Sequence, residues 1–178
     1  LATMQRRAWE RGRATIWPHF ASASAALVES VLPASRKLTA TFVMPSTNAV
    51  FAMSDGTGML QHAIGPVGDR RHGYCLDDNA RALMRMHRLD SDDACRWALT
   101  YAAFIQHAWN DDTRTFRNFM NFDRTWCEEA GSEDSNGRAI WALGVTARDA
   151  QEAKHRDWAT VLFDETASMA LELQSLRA

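Results

Sequence analysis

The sequence predicts an all-α fold of stacked helical hairpins, (α/α) toroid in type and incomplete, with a short β-hairpin carried in one loop. Three observations predict it. Four stretches with helical periodicity alternate with turn-rich loops. The motif DDNARAL at 77–83 returns as DSNGRAI at 134–140, identical at four of seven positions and 57 residues further on. Each copy opens a helix that a second helix follows, and a repeated hairpin buries its apolar face by stacking on its neighbour.

Taken in order, residues 4–31 read as helix, with a break expected at Trp17-Pro18 because proline lacks the amide donor and clashes with the preceding turn. A polar, extended stretch follows, in which Pro33 and Pro45 bracket a short β-prone run; it reads as a linker over 33–48. Glycine and proline are dense over 54–73, which is loop chemistry. Helices are expected at 77–89, 92–109, 134–150 and 154–176. Between them, 110–132 is aromatic and turn-rich, and a short β-hairpin on a long functional loop is expected there. The expected organisation is therefore a helical segment at 1–32, a linker at 33–48 and a hairpin domain at 49–178.

Composition narrows the function. Hydrophobic residues are 46% of the 178 and charged residues 24%, a globular balance. A formal charge of −2 and the lack of any basic block exclude a nucleic-acid footprint. No apolar run reaches the roughly 18–20 residues of a membrane span. Cys75, Cys95 and Cys127 are odd in number and lack CxxC spacing, so a reducing, cytoplasmic setting is expected. The arginine-rich start before ASASAALVESVL resembles a signal peptide only weakly, since Glu29 and several serines interrupt the apolar run.

The two copies of the repeat separate scaffold from chemistry. Asp77 and Asp134 open their helices, where a carboxylate accepts from unpaired amides and complements the helix dipole. Arg81 and Arg138 follow at i+4, in reach of an ion pair. Asp78 and Glu133 are not repeated: their counterparts are Ser135 and Leu76. Packing does not demand these two carboxylates, so they are the candidate catalytic pair, an acid with a base or nucleophile for glycoside cleavage or transfer. The plainer reading, in which both are solvated helix-start charges, stands beside it. Trp126, Tyr74, Phe116, Phe119 and Trp109 could supply faces for sugar stacking. His62, His72, Cys75 and Asp77 match no established zinc spacing, and the glycine-rich stretches match no phosphate or dinucleotide fingerprint, so no metal or other cofactor is expected.

Three motifs, SDGTGMLQHA at 54–63, HGYCLDDNARAL at 72–83 and GSEDSNGRAIWALG at 131–144, resemble an all-helical domain. It is found on the carboxy-terminal side of certain bacterial group-1 glycosyltransferases and in related glycosidase-like proteins. GRATIWPHFASASAALVESVL at 12–32 is similar to the closing helix of such a transferase, so the resemblance spans 12–150. It implies a six-hairpin toroid acting on or binding a saccharide. The matching positions are His72, Tyr74, Asp77, Asp78, Asn79, Arg81, Glu133, Asp134 and Arg138. Of these, Asp78 and Glu133 are taken as catalytic; His72, Tyr74, Asp77, Asn79, Arg81, Asp134 and Arg138, with Trp126, are taken to bind substrate. Gly56 stands where the family pattern has a second acid after Asp55. A closed ring at this period needs about twice the length, so part of a toroid is expected. Half a ring leaves apolar faces to cover, by self-association, by irregular packing of terminal helices, or by packing on a transferase domain. The competing expectations are a non-catalytic saccharide-binding or scaffolding module and an open hairpin array for protein contacts.

Overall fold

The computed structural model describes residues 2–13, 16–31 and 46–175. The chain divides into two compact units, Leu1–Pro45 and Ser46–Ala178.

The first unit holds helices α1 (Ala2–Arg13) and α2 (Trp17–Val31), and α2 buries no residue. The interruption falls before Trp17, not at Pro18. Pro18 sits in the first turn of α2, where its missing amide has no intrahelical partner to lose. Most of the linker expected at 33–48 lies outside the described residues, and its last position begins α3 (Asn48–Ala52).

The second unit continues with strands β1 (Ala63–Ile64), β2 (Val67–Gly68) and β3 (Tyr74–Cys75), then helices α4 (Leu76–Met86) and α5 (Asp92–Ala108). Strands β4 (Trp109–Asn110), β5 (Thr115–Phe116) and β6 (Phe119–Met120) follow, then α6 (Glu133–Asp149) and α7 (Ala153–Thr166). The expected hairpin is the antiparallel β4–β5 pair, with Trp109 opposite Phe116. A long-range pair joins β3 to β6, setting Tyr74 opposite Met120 and tying the two loops before α4 and α6 together. The helix expected at 154–176 ends at Thr166 and runs on as a 3-10 segment, Ala167–Glu172.

Helix α4 is the centre of the core. Leu76, Asn79, Ala80, Leu83 and Met86 recur at helical spacing and are buried, and α4 packs on both α5 and α6. Fully burying a side chain such as Leu83 stabilises by about 1.5–3 kcal/mol, so Leu83→Ala is the simplest change that would loosen this core. Tyr101, Phe104 and Ile105 on α5 and Leu143 on α6 complete it. Two contacts fix the direction of the central pair. Arg138, in the second turn of α6, meets Asp77 in the first turn of α4, while Thr146 near the end of α6 lies 3.0 Å from His87, just past the end of α4. Helices α4 and α6 therefore run parallel, and α5 and α7 bring the chain back between and after them. The all-α class holds: among the described residues the β structure is two-residue strands and isolated bridges.

Candidate functional site

The loops that carry the site are held by a repeated asparagine. Asn79 is fully buried; its Nδ2 donates to the Cys75 carbonyl at 2.8 Å and its Oδ1 accepts from the Met59 amide at 2.9 Å. Asn136 does the same for the second copy, donating to the Ser132 carbonyl at 2.9 Å and accepting from the Phe116 amide at 2.7 Å. Its Nδ2 also reaches the Phe116 carbonyl at 3.2 Å. Asn79 thus has no exposed face for a ligand, and its part is to fasten the preceding loop to the helix start.

The helix starts are capped differently from the expectation. Cys75, not Asp77, is the N-cap of α4, and its side chain makes no capping bond; Asn118 supplies acceptors to the Leu76 amide through its carbonyl and to the Asp77 amide through its side chain. In α6 the cap is Ser132, whose hydroxyl accepts from the Ser135 amide. Asp77 and Asp134 are the second residues of their helices, in the first turn, where they complement the dipole and form ion pairs. Asn118 had no sequence signal, because its capping partners are 41 and 42 positions away.

Five charged residues converge at this shared helix end. Arg81 lies 2.9 Å from Asp77 Oδ2 and 2.7 Å from Asp78 Oδ1. Arg138 Nε lies 2.7 Å from Asp77 Oδ1 and 3.3 Å from Asp134 Oδ2. Its N–H aligns with Asp134, so Asp77 Oδ1 is buried in charge contact without an aligned hydrogen bond. Burial holds the Asp77 carboxyl above its ordinary value of 3.8; Arg81 and Arg138 oppose this rise, while the neighbouring Asp78 and Asp134 add to it. Asp78 Oδ2 accepts from the Cys75 thiol at 3.0 Å, and burial together with this carboxylate pushes that thiol's pKa well up, which makes Cys75 a donor and not a thiolate nucleophile. Asp78 and Arg81 border an open groove of about 230 Å³ with Val50, Met59 and Arg85.

Glu133 stands apart from Asp78 in its bonding. Its Oε2 accepts from the Gln174 and Ser175 amides at 3.2 and 2.6 Å, so it holds the segment that follows α7. The two carboxylates share no partner among the described residues.

Tyr74 is 1% exposed and offers no ring face to a sugar. Its hydroxyl donates to Asp55 Oδ2 at 2.7 Å, and burial with this carboxylate moves its pKa up to about 12. Asp55 also accepts from the Thr57 and Gly58 amides, organising the DGTG turn. His72 is exposed, 3.6 Å from Asp69 Oδ2 and edge-on to His62 at 4.6 Å. Trp126 is half-buried against Phe104 and His107, with the Arg117 guanidinium 5.8 Å above its ring. The Trp126 Nε1 is buried and has no hydrogen-bond acceptor among the described residues. Among the described residues no group of three histidine, cysteine or acidic side chains is placed to hold a metal ion, and no helix is long and apolar enough to cross a membrane.

The structure thus brings Asp77, Asp78, Arg81, Asp134 and Arg138 into one network, sets Tyr74 and Asn79 beneath it as supports, and gives His72, Trp126 and Glu133 separate contacts. No known protein family matches the chain, and no curated protein matches it.

Proposed function

We propose that the second unit is a carbohydrate-active module that processes glycosides through the carboxyl cluster at the common N-terminal end of α4 and α6. The observation that carries this reading is the convergence of Asp77, Asp78 and Asp134 on Arg81 and Arg138 beside an open groove. Asp77 keeps its proton to higher pH than an ordinary carboxyl, which suits a general acid. Asp78 borders the groove, which suits a base or nucleophile. Glu133 is the second carboxylate of the pair read from sequence, on its unrepeated position. The arginines and Asp134 would orient sugar hydroxyls; His72 and Trp126, read from sequence as substrate-binding, have contacts of their own. The parallel α4 and α6, each followed by a returning helix, support reading the hairpins as consecutive units of an (α/α) toroid of the six-hairpin kind, associated with a glycosyltransferase.

A second reading, a saccharide-binding or scaffolding module without turnover, is favoured by the protein donors already on Asp78 and Glu133. The experiment is calorimetry and sugar release across a saccharide panel, on the wild type and on Asp78→Asn, Glu133→Gln and Asp77→Asn. Turnover lost in folded Asp78→Asn supports the catalytic reading. Binding without turnover in the wild type supports the second. No binding by the wild type sinks both.

A further inference from the structure

The hairpin repeat makes α4 and α6 comparable position by position, and each carries one face that the other has covered. The face of α4 turned to α6 bears Asp77, Met84 and His87: Asp77 meets Arg138, His87 meets Thr146, and Met84 packs on the core. The position equivalent to Met84 on α6 is Trp141, and it stands 60% exposed. The face of α6 turned to α4 bears Arg138 with Ser135, Ala139 and Ala142, the last three all buried. Their equivalents on α4 are Arg81, Asp78, Ala82 and Arg85, and these line the open 230 Å³ groove. One molecule therefore presents an uncovered indole on one side of the central pair and an uncovered groove on the other.

We propose that Trp141 of one copy of this chain seats in the α4 groove of a second copy, repeating between molecules the packing that α4 makes with α6 inside one. The two surfaces are the unmatched halves of an interface the chain already forms, which argues for a second copy over an unrelated partner. Their chemistry also fits. Val50 and Met59 give the groove an apolar side, and Arg81, its side chain 49% exposed, and Arg85 can lay guanidinium planes on the indole face. The contact is head to tail, so each added copy exposes a fresh indole and a fresh groove, and growth stops only if the rotation closes a ring.

Asp78 also borders this groove, so a docked indole and a saccharide would compete for it. Sedimentation velocity of the full chain at rising concentration, with no saccharide present, tests the association independently of any activity on sugars. The wild type should associate. Trp141→Lys and Arg85→Glu should each weaken self-association by roughly thirtyfold or more, the loss typical of a central tryptophan or arginine anchor. The decisive arm mixes the two variants. Trp141→Lys keeps an intact groove and Arg85→Glu keeps an intact indole, so the mixture should form a one-to-one dimer and grow no further. Circular dichroism checks that each variant keeps its helices; Trp141→Ala and Arg85→Ala replace any that does not. A wild type that stays monomeric at submillimolar concentration overturns the proposal, as does a mixture that stays monomeric or a variant that associates like the wild type.

Discussion

Asn79 and Asn136 make the same pair of bonds in the two copies of the repeat: each holds a carbonyl four positions back and an amide twenty positions back. The match shows that the repeat reaches well upstream of the seven residues that reveal it, since Met59 and Phe116 are themselves 57 apart. Each loop is fastened to its helix by one buried amide side chain, and the acidic network is built on that fastening.

Removing either asparagine should therefore be costly. Asn79→Ala or Asn136→Ala takes the side-chain acceptor from the Met59 or Phe116 amide, at about 1–3 kcal/mol for the group left unpaired. Asn→Asp should do little better, because an ionised carboxylate cannot donate to the Cys75 or Ser132 carbonyl. Chemical denaturation of the four variants measures this; a loss within 0.5 kcal/mol, as at an ordinary surface site, would refute the clamp.

The Arg138–Asp77 contact joins the two hairpins, and its worth should depend on pH. Arg138→Met is expected to cost about 1–2 kcal/mol near neutrality, below the 3–5 of a fully buried pair because both side chains keep about a fifth of their surface exposed. Since the folded Asp77 pKa lies above the ordinary 3.8, its titration favours the fold below 3.8, and that contribution is lost as pH rises through the folded value. A protonated Asp77 no longer needs a cation, so the Arg138→Met penalty should shrink in acid. Urea unfolding at neutral and acid pH gives both numbers; equal penalties would contradict it.

His87 should make the interhelix contact acid-sensitive. Burial lowers its pKa below 6.5, against the upward pull of Asp149, and His155 adds to the lowering. Protonation thus favours the unfolded chain: the contribution is fully present above 6.5 and is lost as pH falls toward and through the folded value. His87→Gln, which can still bond Thr146, should flatten the fall in stability between about pH 7 and 5. An unchanged slope in the variant would count against this.

Tyr74 should matter to the fold and not to ligand contact. Tyr74→Phe removes the hydroxyl bond to Asp55 and should cost about 1–3 kcal/mol, as for bonds to a charged acceptor. Its stabilising neutral form persists below the ordinary 10 and is lost as pH rises through about 12, so the variant should also lose part of the alkaline destabilisation. Melting curves on the alkaline side test both; a variant as stable as the wild type would show the bond to be idle.

Periodicity made the four long helices of the second unit legible, and each begins within one residue of its expected start, because their buried faces recur every three to four residues. Their ends were less legible. Residues 77–89 stop at Met86 and 154–176 stop at Thr166, where local propensity still favours helix and only packing decides. Pro18 shows the same limit at α2: its ring forbids a helix interior but suits a first turn, and propensity alone does not say which.

The local order of this chain was thus determined by its sequence: the helical hairpins, the doubled D-x-N-x-R motif, the Asp–Arg pairs at i+4 and a β-hairpin in the loop at 110–132, all of which depend on neighbours a few positions away. Only the tertiary structure decided what those residues meet. Running α4 and α6 side by side gave Arg138 to Asp77, pairing β3 with β6 gave Asn118 to the start of α4, and the segment after α7 gave its amides to Glu133. Each is a contact between residues 40 or more positions apart, set by how the hairpins stack and not by any local preference, which is why Glu133 read as the equal of Asp78 in the sequence and is engaged by a different part of the fold.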